Sequence, residues 1–197
     1  MATNKLDQFI DRYYNMYSER NDIHKIVVTP EYIDKNREKI ENAMRMFVLY
    51  PDYLLDIVTP KESYFKLFFY QRVFLRVLMR YKHVSGTFPR AYSKSFLNFI
   101  ALMLKGIFLP MSKGFVCADT KKQAAQIIDE KVNEIFNLFP FFTNELKISD
   151  ADFNKQKWGN FGSDYAELNL KNGSRIDVVN TGNAGRGGRR HYGALTW

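Results

Sequence analysis

With 197 residues, 46% of them hydrophobic and 16% aromatic, the chain is long enough for one domain, or one domain with an arm, and apolar enough to exclude disorder throughout. The 29 Lys and Arg against 21 Asp and Glu leave a formal charge of +8, which fits polyanionic partners such as nucleic acid, nucleotide phosphates or anionic lipid, and equally an ordinary basic protein. A single cysteine, Cys117, and three scattered histidines, His24, His83 and His191, exclude a disulfide framework and a clustered metal site and fit a reducing, cytosolic setting.

The start, Met1 to Asp7, has no apolar signal core. The greasiest stretches are interrupted by Lys66, Arg72, Arg76, Arg80 and Asn98 before they reach spanning length, so a soluble chain is expected. Asp7–Tyr17 has the pattern of a short amphipathic helix. Helical spacing runs from Pro30 to Leu49, where Pro51 is expected to end it. A second helix is predicted over Lys61–Tyr81, its aromatic stripe forming core and its arginines lining the other side. His83–Phe88 reads as a short strand, Pro89–Ser93 as a turn, and Lys94–Phe108 as a helix so apolar that it must be enclosed.

Gly114–Asp119 then reads as a buried strand, and Thr120 followed by Gln123 marks the capped start of a helix carrying Ala124, Ile128, Val132, Ile135 and Phe139. The resulting β-α-β-α order predicts a parallel sheet with right-handed crossovers. Tyr165–Leu170 and Ser174–Val179 alternate around Asn172-Gly173, a β-hairpin signal. The run Thr181–Arg190 is basic and glycine-rich, with no large apolar residue to pack.

Chemistry concentrates where Lys94-Ser95 opens a helix after a strand and loop. Backbone N–H groups at a helix start carry partial positive charge, a lysine there reaches β- and γ-phosphates, and the hydroxyl after it can ligate Mg²⁺. Against the pattern G-x-x-x-x-G-K-[ST], Phe88 and Ser93 stand at the glycine positions and only Lys94-Ser95 remain. From the residues alone, two readings stay open: a phosphate site, or a capped structural helix.

The ordered series Phe69-Tyr70-Gln71-Arg72, Thr87-Phe88-Pro89-Arg90-Ala91-Tyr92-Ser93-Lys94-Ser95-Phe96, Val116-Cys117-Ala118-Asp119-Thr120-Lys121-Lys122-Gln123-Ala124 and Arg186-Gly187-Gly188-Arg189-Arg190-His191 resembles the ATPase domain of the large terminases of tailed bacteriophages, from about Tyr64 to Gly193. The matching features are the adenine-recognising glutamine motif, a deviant Walker A with an arginine ahead of Lys-Ser, the second strand with its helix start, and the segment just ahead of Walker B. The resemblance implies an α/β, P-loop NTPase-like parallel sheet of the RecA/ASCE type, incomplete, with residues 1–60 as an N-terminal helical arm or lid and 61–197 as a partial ATPase domain without the nuclease domain.

It further implies that Pro89, Arg90, Ala91, Tyr92, Ser93, Lys94 and Ser95 bind ATP, with Lys94 on the β/γ-phosphates, Ser95 on Mg²⁺, Gln71 on adenine and Arg90 sensing the γ-phosphate. The implied partners are double-stranded DNA, a small terminase subunit and a portal protein, in a homo-oligomeric ring in the host-cell cytoplasm and not in a membrane. Each residue has a plainer reading beside it: Gln71 as a helix-surface amide, Arg90 snorkelling at a helix start. Arg186, Arg189 and Arg190 either contact DNA phosphates or act across a subunit boundary, or form a basic tail.

A motor of this class needs an apolar strand ending in Asp-Glu. None follows Arg190, so the resemblance implies a fragment with weak or no ATP turnover by itself. Ile127-Ile128-Asp129-Glu130 has the right letters but sits inside a helical run and is assigned to a solvated helix face. The competing function is a non-enzymatic, basic nucleic-acid-binding protein working through its Arg/Gly-rich C-terminus. A membrane-surface protein built on the arginine-rich aromatic helix is the weaker third.

Overall fold

Pro30 and Glu31 suit the first turn of a helix, where a missing N–H costs nothing and an acid favours the dipole, and α1 runs over Pro30–Leu49 as the spacing predicts. The computed structural model describes residues 29–60, 63–89, 92–118, 120–163, 165–180 and 193–196. Two units separate, residues 1–47 and 48–197. In the first, α1 supplies the described structure; the helix expected over Asp7–Tyr17 lies outside the described residues, as do Arg90, Ala91 and the run Thr181–Arg190 with Arg186, Arg189 and Arg190.

In the second unit, Pro51 does more than end α1. It takes the first position of another helix, α2 (Pro51–Val58), which the sequence reading missed. The helix expected over Lys61–Tyr81 is shorter than predicted: α3 spans Phe69–Arg80, and Ser63–Phe68 ahead of it is not helical. The physical reason is a change of period. From Tyr64 to Phe68 burial alternates, with Leu67 buried, Phe65 half-buried, and Tyr64, Lys66 and Phe68 exposed, as extended chain requires. The Gln71 side chain then caps the new start by accepting the Phe68 N–H at 2.8 Å.

Helices α2 and α3 are joined by charge. Asp52, with no exposed surface, accepts two bonds of 2.7 Å from the Arg76 guanidinium and one of 3.3 Å from Arg72, and Arg72 also grips Asp56 at 2.6 and 2.8 Å. These hydrogen bonds, to Asp56 for Arg72 and to Asp52 for Arg76, hold both guanidinium pKa values above the ordinary one. Arg76 lies over the rings of Tyr50 and Tyr53, and Arg80 over Tyr50.

The enclosed helix is as expected: α4 (Lys94–Phe108) buries nine residues, among them Phe99, Ile100, Met103 and Leu104. It is followed by β1 (Lys113–Ala118) and by α5 (Lys121–Leu138), whose N-cap Thr120 accepts the Gln123 N–H at 3.1 Å. Asp129 and Glu130 lie exposed on α5, on the helix face the spacing assigned them to. A 3₁₀ turn (Pro140–Glu145), a short α6 (Asp150–Asn154) and β2 (Asn160–Phe161) come next. The hairpin of β3 (Ala166–Asn169) and β4 (Arg175–Asn180) and a last strand, β5 (Gly193–Thr196), complete the described elements.

The fold is α/β, with a five-stranded mixed sheet in the order β2-β3-β4-β1-β5. Strand β1 lies parallel to β4, Lys113 beside Arg175, and parallel to β5, Gly114 beside Gly193. The expected parallel pairing is thus present in β4-β1-β5, whereas β3 runs antiparallel to both β2 and β4, so the sheet is mixed and not parallel throughout. The strand expected over His83–Phe88 is absent as well. Both edges of β1 are taken by β4 and β5, and Phe88 packs instead edge-on against Phe74 of α3, centroids 4.6 Å apart.

The Asn-Gly turn forms as predicted, with Gly173 at φ +83°, and it is locked to the end of α4. Asn172 donates through Nδ2 to the carbonyls of Gly106 and Ile107 at 2.8 and 2.9 Å and accepts the Ser174 N–H through Oδ1, while Ser174 Oγ donates to Leu109 O. A Cβ on Gly173 would stand 2.3 Å from the Met111 sulfur.

Candidate phosphate-binding site

Lys94 begins α4 because Ser93 turns the chain into it from a left-handed conformation, φ 52° and ψ 24°. Ser93 stands where the phosphate-loop pattern has its second glycine, and its backbone takes a shape that glycine adopts freely and other residues rarely do. The Ser93 carbonyl accepts the Leu97 N–H at 3.0 Å, but no side chain caps the helix start. The first-turn N–H groups therefore point out of the helix with their partial positive charge.

These residues border a concavity of about 240 Å³. Tyr92, Ser93, Lys94, Ser95 and Phe96 form one wall, and Lys131 with its ion-pair partner Glu134, both on α5, form the other. Tyr92, Ser93 and Lys94 are exposed and Ser95 half-buried. The volume suits a phosphate tail better than a whole nucleotide.

Next to the concavity, the Tyr92 ring meets Tyr70 at 5.2 Å, and Tyr70 stacks on Phe68 at 6.1 Å. The first turn of α3 and the start of α4 are thus brought together, although Gln71 and Lys94 are 23 positions apart in the chain. Gln71 is only 5% exposed and its oxygen is committed to Phe68, which corrects the surface-amide alternative. Pro89 is exposed.

The strand expected ahead of the loop is not there, and the concavity opens against the second half of α5. Lys131 lies about 16 Å along that helix from Thr120, which follows the carboxyl end of β1. Ligands in open α/β sheets usually bind outside those carboxyl ends.

The sequence reading missed Lys131 and Glu134, whose i, i+3 spacing was the available signal. It also missed the α2–α3 ion network, signalled by i, i+4 spacing of Asp52 with Asp56 and of Arg72 with Arg76 and Arg80. Among the described residues, no cluster of metal-ligating side chains occurs and no helix is long and apolar enough to cross a membrane. Comparison with protein-family models and with curated proteins finds no match.

Proposed function

We propose that this chain is a nucleotide-binding part of an ATP-driven, terminase-like DNA-packaging motor, holding the ATP phosphates at Ser93-Lys94-Ser95. One observation carries the reading: a left-handed residue, a lysine and a hydroxyl follow one another into an uncapped helix start that opens on a concavity of phosphate size. Lys94 neutralises the β- and γ-phosphates. The Ser95 hydroxyl fits Mg²⁺, which keeps most of its waters and needs few protein ligands. The exposed rings of Tyr92, Tyr70 and Phe68 give the base a surface beside the concavity. Double-stranded DNA, a small terminase subunit, a portal protein and a ring of copies are the partners this reading carries with it.

The test is thermal stability with Mg²⁺ and a non-hydrolysable ATP analogue, for the wild type and Lys94→Ala. At about a hundredfold excess over Kd, binding stabilises by about 2.7 kcal/mol. A shift in the wild type that Lys94→Ala loses supports the reading, and no shift in the wild type overturns it. The +8 charge favours a second reading, a basic nucleic-acid-binding protein acting through Arg186, Arg189 and Arg190 and indifferent to nucleotide.

A further inference from the structure

The wall of the concavity opposite Lys94 is not passive. Lys131 and Glu134 sit one helical turn apart on α5, ion-paired to each other, and both line the space that Ser93, Lys94 and Ser95 border. In this state the lining holds two cations and one anion, and the second cation is already matched by the carboxylate. An entering polyphosphate brings several negative charges into the same volume. It is repelled by Glu134 and attracted by Lys131, and a lysine is a point charge on a flexible stem that can exchange one anionic partner for another without moving the helix. We infer that Lys131 is a second phosphate-binding lysine, held in reserve by Glu134, so that nucleotide binds by displacing the carboxylate from the Lys131 ammonium.

The inference rests on the phosphate reading of Lys94, and it adds to it a residue from another helix and a built-in competitor. It also gives α5, which packs on β1 and β4, a direct response to nucleotide. The exchange is purely electrostatic, with no bond made or broken.

The experiment is equilibrium binding of a fluorescent, non-hydrolysable ATP analogue to the full chain as wild type, Lys94→Ala, Lys131→Gln and Glu134→Gln, with circular dichroism to show that each folds. Neither Lys131 nor Glu134 belongs to the buried core, so the fold should tolerate both changes. The expected result is binding weakened roughly three- to tenfold in Lys131→Gln and tightened severalfold in Glu134→Gln, both effects shrinking as salt rises. Wild-type affinity in both variants, beside loss in Lys94→Ala, would overturn the inference while leaving the phosphate reading standing. Weaker binding in Glu134→Gln only when Mg²⁺ is present would overturn it too, by making the carboxylate a metal ligand. No binding by the wild type removes the reading and the inference together.

Discussion

Ser93 holds a left-handed backbone without glycine's freedom, at a cost of roughly 1–2 kcal/mol, and its hydroxyl makes no capping bond to offset that cost. Replacing it by glycine removes the steric penalty and adds back some chain entropy in the unfolded state. Ser93→Gly is therefore expected to gain roughly 0.5–1 kcal/mol in urea denaturation and to bind phosphate at least as well. A loss of stability would mean that the hydroxyl, and not the backbone shape, holds the loop. Gln71 carries a related lesson: a residue assigned to adenine by its neighbours in the chain is engaged in holding the first turn of α3, and its oxygen is already bonded to Phe68.

Between elements, α2 is bonded to α3 through Asp52. Removing this fully buried carboxylate takes both bonds from Arg76 and one from Arg72, which keeps its two to Asp56, and both guanidiniums still reach water. Asp52→Ala is expected to cost about 1.5–3 kcal/mol. Asp34→Ala, which breaks an exposed pair with Arg37 on α1, should stay within about 0.5 kcal/mol, and denaturation midpoints of the two variants check the contrast.

At this scale much of the fold was legible. Helix α1, helix α4, the Thr120 cap and the Asn172-Gly173 turn each announce themselves through local rules of spacing and capping. What was hidden depends on partners far along the chain. His83–Phe88 has a strand's letters but finds no free strand edge at β1. Gly193–Thr196 has too few letters to read as a strand and becomes one because β1 offers it an edge. Ser63–Phe68 abandons helix because Phe65 and Leu67 have an aromatic core to enter, Phe65 lying edge-on to Phe96 and Phe139. The candidate site divides the same way: Lys94 and Ser95 were readable, whereas the wall of Lys131 and Glu134 exists only after α4 and α5 have packed.

For the molecule as a whole, +8 of formal charge acts at a distance whatever the concavity does. Affinity for double-stranded DNA is expected to fall steeply from about 50 to about 200 mM salt, with a log–log slope near −0.9 per phosphate neutralised. Fluorescence anisotropy of a labelled duplex reads that slope. Lys94→Ala should leave it nearly unchanged, whereas Arg186→Gln, Arg189→Gln and Arg190→Gln together should flatten it by up to about three phosphates if those residues bear on DNA. A slope that responds instead to Lys94 would place the nucleic acid, rather than a nucleotide, in the concavity.

The Asn172 lock also sets how this protein ages. An asparagine followed by glycine is the step in a polypeptide most prone to lose ammonia, because the glycine nitrogen can attack the side-chain carbonyl wherever the backbone is loose. In the folded chain the Gly173 N–H is given to Leu170 O, and the Asn172 amide is held by two carbonyls at the end of α4, so the attack geometry is withheld. Each excursion to the unfolded state releases it. Once converted, the side chain is a carboxylate facing the Gly106 and Ile107 carbonyls it used to donate to, and of the side-chain bonds to the end of the helix only that from Ser174 to Leu109 is left. Slow accumulation of the acid at this position would thus record the time the chain has spent unfolded, and each molecule so marked would refold less well than before.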